Sequence, residues 1–172
     1  IALIAAWAPA SFATAVTADR NNDADDLVNG AVFDNLGADT LTVLANAIFT
    51  TGNITTAGVG GAFAGTTTYA GAATALGVGT AANQLLAVNI NGGIVTLGGD
   101  IGATTTTINA GGTLTPTANR TITGVLTTAA SATAILDLGT YTLTLTGVPT
   151  IGAASIIRTT LNSSTSRGNL TT

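Results

Sequence analysis

Two carboxylates in the body of the chain, Asp100 and Asp137, are of the type that splits glycosidic bonds when held as an acid and base pair. Their separation of 37 residues is no multiple of the roughly 22-residue spacing at which similar strands recur, so they do not stack on one face. No catalytic residue is assigned, and the chain reads as a non-enzyme. The only charge cluster, Asp19-Arg-Asn-Asn-Asp-Ala-Asp-Asp26, offers carboxylate and amide oxygens of the kind hard cations take. Counted from Asn21, however, Asp26 stands where a calcium loop needs Gly and Val32 where it needs a bidentate Glu. The cluster therefore reads as a solvated turn. Asp19, Asn21, Asp23 and Asp25 are retained as the calcium candidates, and no cofactor is expected.

Other chemistry is excluded by composition. The chain has no Cys, His, Met, Lys or Glu, so thiolate nucleophiles, imidazole bases and the common zinc, haem and iron–sulfur ligands are missing. Four Arg stand against eight Asp, giving a net charge of -4. Arg20, Arg120, Arg158 and Arg167 are scattered, and nucleic-acid binding needs clustered basic residues. Four Asn-x-Ser/Thr sequons, at Asn53, Asn119, Asn162 and Asn169, match what so much Ser, Thr and Asn yields by chance.

The elements that must position any surface chemistry are strands. From Thr140 to Thr146, Thr140, Thr142, Thr144 and Thr146 alternate with Tyr141, Leu143 and Leu145. A period of two sends the threonines to one face and Tyr141, Leu143 and Leu145 to the core. Thr113-Leu-Thr-Pro-Thr117, Thr121-Ile-Thr123 and Thr104 to Thr107 repeat the pattern. At Leu85 another strand starts, with Leu86, Val88 and Ile90 expected on one face before the Asn91-Gly-Gly93 turn.

Two regions fall outside this texture. Ile1 to Val16 is apolar but interrupted by Pro9 and too short for a membrane span, which needs roughly 20 residues. It resembles the hydrophobic part of a secretory signal, yet it reads as an arm kept on the protein, whose Ile1, Leu3, Ile4, Trp7, Phe12 and Val16 must be buried somewhere. That cover is either one end of its own fold or a neighbouring subunit. Residues 57–83 are a low-complexity mixture of Gly, Ala and Thr with little to bury, read as a loose excursion rather than as tightly stacked small-residue strands. The organisation is thus an apolar arm and acidic turn over 1–30, then a β-rich body over 31–172.

Asp100-Ile-Gly102, Thr121-Ile-Thr-Gly124 and Thr144-Leu-Thr-Gly147 each end a strand with Gly, 22 and then 23 residues apart. Asn89-Ile-Asn-Gly-Gly93 and Ile108-Asn-Ala-Gly-Gly112 echo each other 19 residues apart. A period near 20 fits one coil of a β-solenoid, each coil burying its face on the next. The fold class is therefore all-β, a solenoid-like stack of Thr-rich strands, with an antiparallel sandwich or jelly roll as the alternative. The stretch from Asn89 to Thr172, through Gly92-Gly-Ile-Val-Thr-Leu-Gly-Gly-Asp-Ile-Gly102, Gly111 to Gly124 and Leu136 to Gly147, resembles passenger repeats of bacterial autotransporter surface antigens of the rickettsial outer-membrane-protein B type. The resemblance covers about half of the chain and implies a secreted, cell-surface solenoid that works by display, adhesion or assembly.

Together these readings predict a non-catalytic extracellular structural protein, a self-assembling subunit of a surface fibre or layer. Its partners are copies of itself, joined by strand addition or by arm insertion. The alternative is a surface-displayed adhesin that meets a host or cell-surface receptor through the 57–83 excursion. A third reading is ice binding by outward threonine rows, against which the unequal coil lengths argue.

Overall fold

The computed structural model describes residues 14–16, 20–22, 30–33, 39–45, 53–56, 65–75, 77–163 and 166–172. These residues contain strands and no helix, and the strands wind as a parallel β-solenoid of about five coils. Short strands whose large side chains alternate with threonine cannot bury an apolar stripe alone; each stacks its stripe on the same stripe one coil on.

Three sides result. On the first, β1 (Thr14–Val16), β3 (Ala31–Phe33) and β5 (Ile54–Thr56) pair in parallel, and single bridges carry the ladder through Val78 to Ile101. The second side holds β2 (Arg20–Asn22), β4 (Thr40–Val43), β6 (Thr66–Tyr69) and β8 (Leu85–Ile90). The third is a five-stranded sheet of β7 (Ala73–Ala75), β9 (Gly93–Leu97), β11 (Gly112–Pro116), β13 (Ile135–Gly139) and β15 (Ile156–Thr159). Two long strands, β10 (Ile101–Ile108) and β12 (Arg120–Thr128), turn the corner between the first two sides. Their first halves align Ile101 with Ile122, and their second halves align Thr105 to Ile108 with Val125 to Thr128, with a register shift between. Gly124 makes that corner possible: its φ is 96°, and a Cβ there would collide with the Ala103 carbonyl oxygen. The first side ends with β14 (Thr142–Leu145) and β18 (Asn169–Thr171).

The core is a set of columns running along the stack. Leu41, Thr67, Val88, Thr106 and Leu126 form one, and Val43, Tyr69, Ile90, Ile108 and Thr128 another. On the third side Ala73, Val95, Leu114 and Leu136 align, all buried. Successive steps of 19 and 22 residues separate Val95, Leu114 and Leu136, so coil length varies while register holds. The spare residues lie in the corners. The glycine echo has this origin: Gly93 pairs with Gly112, and Ile90 with Ile108.

Several expectations need correction. The antiparallel sandwich does not form; among the described residues only β16 (Leu161–Ser163) and β17 (Ser166–Arg167) pair antiparallel. The loose excursion over 57–83 is wrong where it is described: β6 and β7 lie in the stack, because Tyr69 and Thr67 fill the core that alanines elsewhere leave small. Tyr141 is not a core residue. It is 37% exposed, since the chain turns at Gly139 and the Tyr141 N–H donates to the Leu138 carbonyl at 2.9 Å, so the strand begins one residue later. Leu143 and Leu145 are buried as expected. Leu86 is exposed while Leu85, Val88 and Ile90 point inward, because the chain bends at the corner where Leu85 pairs with Ala103. Part of the acidic turn is strand, with Asn21 in β2 opposite Thr42.

Candidate interaction surfaces

The second side places polar side chains outward in columns. Thr42, Thr68, Asn89, Thr107, Thr127 and Thr150 are in register from one coil to the next. A second column, two residues earlier along each strand, holds Thr40, Thr66, Ala87, Thr105 and Val125. Neighbouring strands lie about 4.8 Å apart, and residues two apart on one strand about 6.7 Å, so these side chains form a near-rectangular array. The Asn89 amide donates to the Thr68 hydroxyl at 3.5 Å, one rung of that array. Unequal coil lengths do not disturb it, because the corners absorb them.

At the corner leading back to the first side, side-chain oxygens accept from backbone of the following coil. Asn53 Oδ1 takes the Gly77 N–H at 3.0 Å, Asp100 Oδ1 the Thr121 N–H at 2.8 Å, and Asn119 Oδ1 the Thr142 N–H at 2.9 Å. Sequence reasoning missed this ladder, although Asn, Asp and Asn recur just before the apolar-centred strands. It assigns structural work to Asp100 and to two of the sequon asparagines. A groove of about 400 Å³ runs along this corner, lined by Asn53, Gly77, Thr80, Asp100, Thr121 and Thr123. Asp137 lies on the third side, where one oxygen accepts from the Gly139 N–H and the other meets Arg158 at 3.2 Å. Asp100 and Asp137 thus serve different sides and different partners.

The third surface is the C-terminal end. Among the described residues β15 pairs with β13 alone, and β18 with β14 alone. Ile157 continues the column of Val95, Leu114 and Leu136 but remains 40% exposed, and Val148 is 85% exposed. The Ile156 N–H donates to the Ala134 carbonyl, so by strand alternation the N–H of Ile157 faces the open edge. Arg158, which would otherwise put charge at that edge, reaches back to Asp137 in the preceding coil.

The remaining sequence candidates divide. Of the apolar arm, Ile1, Leu3, Ile4, Trp7 and Phe12 lie outside the described residues, whereas Val16 is in β1, paired in register with Phe33. Asp19, Asp23 and Asp25 also lie outside them, apart from Asn21 in β2. The loop proposed for an adhesin has its described portion built into the stack. No helix among the described residues is long and apolar enough to cross a membrane. In comparisons with known proteins, no family model, no curated protein and no solved structure matches the chain.

Proposed function

We propose that the protein is a non-catalytic structural component of the cell exterior, a subunit that self-assembles into a surface fibre or layer by strand addition. One observation carries this reading: among the described residues β15 has no outer partner strand, and Ile157, aligned on the core column, is 40% exposed. An unpaired edge is a template for another strand, and proteins that avoid such pairing place charges, proline or bulges there. Here the nearby arginine is instead paired on the outer face with Asp137 of the preceding coil. The resemblance of the second half to autotransporter passenger repeats supports the extracellular setting. Sedimentation velocity and negative-stain microscopy of the full chain over a range of concentrations test it. Concentration-dependent rods or sheets are expected; a monomer at every concentration overturns the reading.

The outward columns favour a second reading, ordering of water against an ice surface. Its objection, unequal coils, loses force because the columns stay in register. Thermal hysteresis of the protein, abolished by Thr68→Tyr and Thr107→Tyr, is the outcome that would install this reading instead.

A further inference from the structure

We propose that Asn91 is a site of self-modification: in the folded protein its side-chain amide is attacked by the main-chain nitrogen of Gly92 and becomes aspartate and isoaspartate without an enzyme. The inference is independent of how the molecule assembles. It concerns the Asn91-Gly-Gly93 turn, which joins β8 to β9 at the corner between the second and third sides.

Three features of that corner act together. Asn91 is exposed, so water and base reach its amide. Its own N–H is tied to the Tyr69 carbonyl at 2.8 Å, whereas the Gly92 N–H donates to no acceptor among the described residues, and Gly92 has no side chain to crowd the attack. The third feature is Asn109, one coil on, whose Nδ2 donates to Asn91 Oδ1 at 2.7 Å. A donor on that oxygen draws electrons from Cγ and stabilises the negative charge that Oδ1 takes up when Cγ becomes tetrahedral. Asn109 provides the internal comparison, because it stands at the matching corner before β11 but is followed by Ala110.

The step balances with water as the only co-reactant. The Gly92 nitrogen gives its proton to base and bonds to Cγ; the Cγ–Nδ2 bond then breaks, and Nδ2 takes up a proton and leaves as ammonia. Water opens the resulting cyclic imide at either carbonyl, giving aspartate or isoaspartate with no change of oxidation state. The fold accommodates both products. Asn109 Nδ2 can donate to the new carboxylate, and the extra main-chain carbon of isoaspartate falls in a corner, where steps of 19 and 22 residues already differ in length. Residues 70–72, 91–92, 109–111, 129–134 and 151–155, which make up this corner, contain no charged side chain. The reaction therefore places the first carboxylate on it and marks older molecules.

The experiment ages the full chain in mildly alkaline buffer, follows the charge change by ion exchange, and locates it by peptide mapping, which separates Asn91 from the other Asn-Gly sequence at Asn29. Asn91 should convert in the native protein at least as fast as in the same chain unfolded in urea, while Asn109 stays an amide. Asn109→Ala keeps the backbone bonds of its turn and removes only the side-chain donor, so it should slow conversion of Asn91 about tenfold, less than the roughly hundredfold a donor supplies in an enclosed oxyanion site, because this corner is wet. Gly92→Ala, with a methyl beside the attacking nitrogen, should slow it further; should that variant fail to fold, the comparison of Asn91 with Asn109 stands in its place. An Asn91 that persists in the native chain while the unfolded chain converts overturns the site. Equal rates in the parent and in Asn109→Ala overturn the part given to Asn109.

Discussion

Thr67 and Thr106 point their hydroxyls into the solenoid, where neither finds a partner, and each flanks Val88 in the same buried column. A buried hydroxyl without a hydrogen bond costs about 1–3 kcal/mol, whereas an isosteric methyl fits the same space. Thr106→Val should therefore stabilise the fold by about 1 kcal/mol, read as a rise of roughly 2–4 °C in melting temperature. A fall would mean that the hydroxyl has a partner such as trapped water. Tyr69 shares this predicament: its hydroxyl is unpartnered, and burial pushes its phenol well above the ordinary range. Leu143 and Thr142 give the complementary contrast. Leu143 is fully buried and Thr142 faces outward, so Leu143→Asp should prevent folding while Thr142→Asp shifts stability by no more than about 0.5 kcal/mol. Circular dichroism of the pair checks it, and equal sensitivity would mean that β14 is covered on both faces.

Strands were legible in the sequence wherever threonine alternates with leucine, isoleucine or valine, because polarity and volume then change together with a period of two. Leu143 and Leu145 were readable on that ground. Tyr141 was not, since the same alternation runs on through a turn whose only sign is Gly139. Residues 66–75 were misread for the opposite reason: alanine and threonine give little contrast, although Thr67 and Tyr69 do alternate with Thr66 and Thr68. Of the candidate surfaces, the threonine columns were foreseeable, but their register was hidden by corners of varying length. Those corners carry their own test. Gly124→Ala places a Cβ against the Ala103 carbonyl at positive φ and should cost about 1–3 kcal/mol or more, whereas Asn119→Ala, losing one bond to the Thr142 N–H, should cost about 1 kcal/mol. Chemical denaturation of both ranks them. Around β2, a chelator should leave the melting temperature unchanged, because the Asp19 to Asp26 run lacks the glycine and distal carboxylate of a calcium loop. A fall of many degrees, reversed by calcium and not by magnesium, would make it an ion site.

Across the whole molecule each coil touches its two neighbours, so stability is a sum of nearest-neighbour steps that is poorest at the ends. Amide exchange should be slowest in β8, β10 and β12, which are flanked on both sides, and faster in β15, which has no outer neighbour among the described residues. Assembly by end-stacking should slow exchange in β15 and leave the central strands unchanged. The sequential ladder also dictates how the molecule bears load. Tension between β1 and β18 acts across the strand-to-strand bonds, so those bonds open one coil after another instead of shearing together. Each coil released pays out a tether of about 20 residues, roughly 65 Å when taut. Pulled in an optical trap, the protein should therefore extend in a staircase of small, repeated yields, acting as an extensible shock absorber rather than a stiff strut.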